Sequence, residues 1–252
     1  LGHRPPGSSS MPRAPRLRAG EREPDAPPRT PGRRRGLNKR VIVDAAVRVL
    51  DADGLDAMTM RRVGEELETG GASLYAHVAN KEELLELVID RVIDELELPG
   101  PPDEARWEEQ VKEIVRSMRA VLAAHKDIAR AYLARVPLGP NALRGREAVI
   151  GVLRAGGLPD QVIAYACDLL PLFATATAYE ESLYASLGLA HEEMGRHIGE
   201  MRTYFASLPV DRFPNIVSLA GPLTDGSGGD ERFEFGLEVL IRGLASLAPG
   251  PA

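Results

Sequence analysis

Ser73, Tyr75 and His77 alternate along one short segment, and each carries a hydrogen-bond donor. Arg61 precedes them and Lys81 follows. No nucleophile stands beside a base in this set, but the residue types suit a polyanion. Hydroxyl, phenol and imidazole groups donate to phosphate oxygens, and Lys81 adds charge at the start of a helix. Arg61 has the planar fork that pairs with guanine O6 and N7. Ala72 and Ser73 are small enough to let a helix end approach base edges. Singly, Tyr75 or His77 is an ordinary surface residue, and Arg61 an ordinary solvated one. Their joint occurrence in LYAHVANKEELL, after a glycine turn and an amphipathic stretch, points to double-stranded DNA.

Other chemistries find less support. HEEMGRH (191–197) resembles a zinc-protease signature only superficially, because position 195 is Gly where the second histidine is needed. His191 and His197 are six residues apart and do not share a helix face. Cys167 is the only cysteine, which excludes an internal disulfide or a cysteine zinc cluster and suits a reducing cytoplasm. No glycine-rich phosphate loop follows a strand. No catalytic residue, metal site or cofactor is expected.

The elements that must position the DNA-contacting residues are helical. Ile42, Ala45, Ala46, Val49 and Leu50 repeat at helical spacing from Asn38, and Asp53-Gly54 ends that helix. Thr59 caps a second helix with Met60, Val63 and Leu67 inward. Thr69-Gly70-Gly71 forms the turn, and Ala72–Val78 the third helix, with Leu74 and Val78 toward the core. Asn80 and Glu83 form a capping box for a fourth helix reaching Leu98, stopped by Pro99-Gly100-Pro101-Pro102. Further helices are predicted from Trp107 to about His125, Ile128–Arg135, Asn141–Ala155, Asp160–Leu187, Ala190–Leu208 and Glu231–Leu247. Residues 209–230 read as a loop, mobile near Gly226–Gly229. No stretch alternates like a strand, so the fold class is all-α.

The chain has 252 residues, 44% hydrophobic and 27% charged, which suits one or two globular domains. No apolar run reaches the ~18 residues of a membrane helix, so no membrane partner is expected. The net charge of -6 conceals a polarity: residues 1–40 hold eleven Lys/Arg against three Asp/Glu, and the remaining 212 hold 20 against 34. The basic end adjoins the suspected DNA-binding segment, an arrangement that orients a molecule toward phosphates.

TMRRVGEELETGGASLYAHVANKEELL resembles the DNA-binding domain of the TetR family of transcriptional repressors. ERFEFGLEVLIRGL resembles the last helix of the subgroup that contains the tetracycline repressor. The resemblance covers about residues 38–248. It implies an N-terminal three-helix helix-turn-helix domain followed by a larger helical ligand-binding and dimerisation domain. It further implies a homodimer on a palindromic operator, released by a small ligand. By motif match, the family's DNA-contacting positions fall on Arg61, Gly71, Ala72, Ser73, Tyr75, His77 and Lys81. The expected domains are a disordered basic arm over 1–36, the helix-turn-helix over 37–84, and the ligand-binding and dimerisation domain over 85–252. The subgroup's metal-binding features are missing. Tyr132 stands at the place of the magnesium-binding histidine, DELELP replaces a late histidine pair, and Ile114 replaces an asparagine. Magnesium-tetracycline is therefore not the expected ligand, and a different amphipathic or drug-like molecule is.

Met118, Leu122, Tyr132, Leu138, Phe173, Thr177 and Glu180 are the candidate ligand-lining residues, although each alone fits plain core equally well. Pro171 interrupts a long helix and frees a backbone carbonyl. The helices 160–187 and 231–247 carry more apolar residues than one core needs, which suits pairing across a two-fold axis. A competing reading is a DNA-binding regulator without a small ligand, answering to a protein partner.

Arg29, Arg33, Arg34, Arg35, Lys39 and Arg40 form a basic arm before the first helix. Residues 1–36 lack large apolar side chains, so nothing offsets the entropy of ordering them. One reading takes Leu1–Ser10 as a cloning remnant and Met11 as the natural start. The arm is either a solubilising tail or an extension that lies along phosphates or enters the minor groove. In the second case, deleting residues 1–36 weakens DNA binding and lowers the slope of log affinity against log salt by roughly one unit for each phosphate the arm had engaged. An unchanged slope in a salt titration rejects the second reading.

Overall fold

The computed structural model describes residues 36–133, 135–186, 191–225 and 229–249; for 185, 186 and 191–194 it describes the backbone alone. The expectations for the arm, including Arg29, Arg33, Arg34 and Arg35, and for Gly226–Ser227–Gly228 lie outside the described residues.

Helix α1 (Lys39–Asp53) starts where the Asn38 carboxamide accepts from the Val41 N–H at 3.0 Å, and ends at Gly54, whose φ of 91° only glycine adopts readily. Helix α2 (Met60–Glu66) is capped by the Thr59 hydroxyl on the Arg62 N–H. Helix α3 (Gly71–Leu74) is a single turn, extended by the His77 and Val78 N–H groups, which both donate to the Leu74 carbonyl, so it is shorter than the predicted Ala72–Val78. Helix α4 (Lys81–Ile93) is capped by Asn80 on the Glu83 N–H at 2.9 Å. The reciprocal half of the expected capping box is displaced by one residue, because the Glu83 carboxylate accepts from Ala79 at 2.6 Å. That bond and the Lys39 ion pair hold the Glu83 carboxyl below the usual range. Ile42, Val49, Leu50, Met58, Val63, Leu74, Val78, Leu84 and Val88 interlock as the core of these four helices.

The C-terminal part comprises α5 (Trp107–Ala124), α6 (Ile128–Leu133), α7 (Pro140–Ala155), α8 (Asp160–Ser186), α9 (His191–Ala206), α10 (Pro214–Ser218), α11 (Ala220–Leu223) and α12 (Gly229–Ala245). There is no strand among the described residues. Helix α5 packs chiefly on α8, which also meets α6, α7 and α12. Helices α9, α10 and α11 pack mainly on one another.

Three further expectations are corrected. Helix α4 stops at Ile93 rather than Leu98. Its last carbonyls are taken up by tighter i→i+3 bonds to Glu95 and Leu96, and the Glu97 N–H then donates to the Ser117 hydroxyl on α5. Residues 209–230 are not one loop, since they contain α10 and α11. Proline at the first position of α10 and within the first turn of α11 costs no helical hydrogen bond there. Finally, α8 is long and apolar enough by length and composition to cross a membrane. The cause is that it is apolar on two sides: Ile163, Ala166, Leu170, Ala174 and Ala178 enter the core, while Tyr165, Leu169 and Leu172 face outward.

Helix α4 runs through the expected 84/85 boundary, packing on α1 and on α7. Its buried Asp90 reaches α7, accepting from the backbone N–H groups of Asn141 and Ala142 at 3.0 and 3.1 Å and from the Asn141 side chain at 3.2 Å. Asp90 therefore caps a helix fifty residues away. Gly139 leaves room for this, since a Cβ there would overlap the Asp90 carboxylate. Gly139→Ala should destabilise the protein by about 1–3 kcal/mol, the usual range for overpacking, read as a lower urea midpoint. An unchanged midpoint would mean that the joint yields without cost.

Candidate nucleic-acid interface and its coupling to the core

The α2–α3 pair is built on close backbone approach. A Cβ on Gly64 would lie 2.9 Å from the Gly71 nitrogen, and one on Gly71 would lie 3.3 Å from the Met60 carbonyl oxygen. The turn does not need its glycines for a left-handed backbone. Glu68 takes that conformation, at φ 53°, while the Thr69 N–H returns to the Gly64 carbonyl at 2.8 Å. Gly71 therefore sits at the α2–α3 crossing, with its side-chain position turned to α2.

Leu74 and Val78 are fully buried, which fixes the opposite flank of α3 outward. Ala72, Ser73 and Lys81 are exposed, Tyr75 is 56% exposed, and His77 is half-exposed. The Arg61 side chain is 88% exposed, with one loose contact to Glu65 at 3.6 Å. An exposed i,i+4 pair of this kind is worth only ~0.3–0.5 kcal/mol, so Arg61 is free to exchange it for another acceptor. Arg62 is held differently, between Asp53 at 2.9 Å and Glu66 at 3.4 Å, and it braces α1 against α2.

The residues predicted to line a ligand site separate into groups. Met118 and Leu122 are buried in the α5 flank of the core. Phe173 stacks on Phe233 of α12 at 5.3 Å and abuts Gly236. The Thr177 hydroxyl is spent on carbonyls of its own helix, and Glu180 pairs with Arg232. Leu138 is exposed. Tyr132 is mostly buried, which pushes its phenol up, while the Arg146 charge acts in the opposite sense. A surface hollow of about 710 Å³ lies elsewhere, between α5 and the chain leaving α4 near Leu98, and none of the predicted ligand residues lines it. Among the described residues no cluster of three His, Cys, Asp or Glu could hold a metal.

A second set of residues, absent from the sequence-based expectations, joins the two parts. The α5–α6 corner grips the end of α1 and the loop that follows it. The His125 ring, 9% exposed as a residue, has Nδ1 3.0 Å from Asp51 and Nε2 3.1 Å from Glu95. Asp127, at φ 59°, accepts from the Leu55 N–H at 3.1 Å, and Arg130 donates to Asp56 at 2.5 Å. Arg135 adds an ion pair to Glu82 in the first turn of α4. The signal in the sequence was HKDIAR, a run of polar groups directly after a helix end.

Comparison with known proteins identifies this architecture. Residues 42–88 match the model of bacterial regulatory proteins of the tetR family, and residues 98–248 match the tetracyclin repressor-like C-terminal domain. The chain belongs to the TetR family. It is a transcriptional regulator of the helix-turn-helix type and not an enzyme. It is 32% identical over 211 residues to the HTH-type transcriptional repressor DrrR1 of Streptomyces coeruleorubidus, covering 82% of this chain and 76% of that protein. Apo ActR from Streptomyces coelicolor superposes with a TM-score of 0.76 at 48% identity, over 84% of this chain and 96% of that one. ActR in complex with actinorhodin gives 0.79 at 48% identity, over 86% and 100%. These TetR-family relatives are what the chain is similar to in sequence and in fold.

The grip between the two parts has a pH signature. Burial opposes the charge of Glu95, but hydrogen bonds from His125 and Arg91 outweigh it and hold the carboxyl below its ordinary value. A depressed carboxyl adds stability that is complete above its unfolded value and is lost as pH falls through the folded one. Glu95→Gln should therefore lower stability near neutral pH and flatten the decline between about pH 5 and 3. Parallel decline in the variant and the parent, followed by urea denaturation, would remove Glu95 from the grip.

Proposed function

We propose that the protein is a repressor that binds a palindromic operator as a homodimer and lets go when an amphipathic small molecule enters the C-terminal domain. The observation that carries this reading is the 48% identity to ActR, a TetR-family protein captured in complex with actinorhodin, along nearly its whole length. Residues 72, 73, 75, 77 and 81 supply the DNA face, with Arg61 beside them and the backbone of Gly71 in close reach. The basic arm, including Arg33, Arg34 and Arg35, adds contacts to DNA phosphates.

Dimerisation accounts for the outward apolar side of α8. Tyr165, Leu169 and Leu172 repeat at helical spacing there, and Phe235 and Val239 do so on α12. Leaving them in water is unfavourable by roughly 25 cal/mol per Å² of apolar area, and a four-helix interface with a second copy covers them. Two reading heads follow from the two-fold axis, spaced by one DNA turn or a multiple of it. Helix α4 transmits the switch, because Asp90 ties it to α7 while its first turns pack on α1. A ligand acts only through a difference in affinity for the two head separations. The cytoplasm, where operator DNA lies, is the working compartment.

The test is fluorescence anisotropy with DNA from upstream of the protein's own gene, run as a salt titration alongside analytical ultracentrifugation. A dimer that binds this DNA tightly, prefers it to scrambled DNA and shows a steep salt slope is expected. Addition of actinorhodin as the first trial ligand should then weaken binding at least tenfold. Equal affinity for scrambled DNA, or a monomer at micromolar concentration, would sink the reading.

A further inference from the structure

Three cations of α5 face three carboxylates of α12. Lys112, Arg116 and Arg119 stand four and three residues apart, which places them on one stripe of their helix. Glu238, Glu234 and Asp230 stand four apart on α12, so the two stripes meet in antiparallel order. The Lys112 ammonium lies 2.6 Å from Glu238. Arg116 donates from Nε and Nη2 to the two oxygens of Glu234, each at 2.8 Å, and from Nη1 to Glu109 of its own helix at 2.7 Å. Arg119 donates to Asp230 at 2.6 Å and to Glu181 of α8 at 2.7 Å, and its guanidinium lies 4.4 Å from the centre of the Phe233 ring. The Lys112 and Arg119 side chains are only 14% exposed, so salt screens these rungs less than ordinary surface pairs. Helix α12 is thus keyed twice. On α8 the Phe173 ring fills a notch at Gly236, where a Cβ would lie 2.7 Å from the ring. On α5 the key is charge, and a guanidinium fork on a carboxylate fixes direction where apolar contact does not. The residues that follow two of the acids, Phe235 and Val239, are exposed. At its C-terminal end α5 leads to His125, which meets Asp51 of α1 and Glu95.

We propose that Lys112, Arg116 and Arg119 are positioning residues that set the separation of the two reading heads in the homodimer. The proposal rests on the dimer reading above, in which α12 belongs to the interface with the second copy. The ladder holds α12 in one register against α5, and the α5–α6 corner holds α1 to the end of α5. The dimer face and the DNA face are thereby joined in series through α5. A broken rung lets α5, and the reading head fixed to it, shift against the partner copy.

The experiment uses the full chain carrying Cys167→Ser and Ala76→Cys, which puts one nitroxide label at an exposed position beside α3 of each reading head. Pulsed dipolar electron spin resonance then reads the distance between the two labels of a dimer, without DNA. Glu234→Arg should shift the mean distance by about 2–5 Å, the scale of helix movements at subunit interfaces, and broaden its distribution. Adding Arg116→Glu restores opposite charges across the rung and should return the parent distance. Affinity for the upstream DNA should fall about tenfold in the single variant and recover in the double. Urea midpoints and sedimentation check that each variant is folded and dimeric. If Glu234→Arg is not, Glu234→Gln takes its place: it should shift the distance alone, and adding Arg116→Gln should shift it no further, because one rung is lost only once. An unchanged distance in the folded Glu234 variant overturns the positioning role. So does a shift that the paired reversal leaves in place, or one that grows when Arg116→Gln is added to Glu234→Gln. No dipolar coupling in the parent rejects the dimer itself, and the role of the ladder with it.

Discussion

The imidazole of His125 lies between two carboxylates that belong to different parts of the molecule. Asp51 comes from the last turn of α1, Glu95 from the exit of α4, and the ring itself from the end of α5. Both ring nitrogens face carboxylate oxygens, at 3.0 and 3.1 Å. Around it, Asp127 holds the chain after Gly54 and Arg130 holds Asp56. Because His125 is nearly buried, these contacts are less screened than surface ion pairs and hold direction as well as distance. The orientation of α1, and with it of the α2–α3 pair, is set by this corner. Helix α4 alone could not set it, since a single helix leaves rotation about its axis open.

Glycine has two uses in this chain. At Gly54 the backbone takes a conformation that side chains disfavour. At Gly64, Gly71 and Gly139 the missing Cβ admits a neighbour: a helix backbone in the first two cases and a carboxylate in the third. The second use makes the reading head thin. Helices α2 and α3 touch backbone to backbone, so the exposed residues of α3 stand on a support with almost no compressible side-chain layer beneath them. Such a base holds Ala72, Ser73 and Tyr75 in place without help from their own packing.

The sequence shows what is governed by neighbours in the chain. Asn38, Thr59 and Asn80 cap helices through bonds spanning three residues; Thr59 and Asn80 were legible as caps for that reason, and Asn38 only as the start of the helical pattern. Leu74 and Val78 were legible as core because the helical period marks them. The end of α4 was not, because it depends on the Ser117 hydroxyl of another helix as much as on the proline cluster. The two short helices in 209–225 were hidden by prolines that usually signal loops. The DNA face was read from one motif. Of the ligand residues, Phe173, Thr177 and Glu180 are occupied by α12 or by their own helix.

The grip at the α5–α6 corner also bears on how this protein can be recombined. The reading head looks like a cassette, ending near residue 84, that could be exchanged between relatives. Asp51 and Asp56 would then come from one parent, and His125, Arg130 and Glu95 from the other. A transplanted head lacking those two acids would leave a near-buried imidazole and a guanidinium facing nothing. The portable unit is therefore discontinuous in sequence: the first helices together with the corner that receives them.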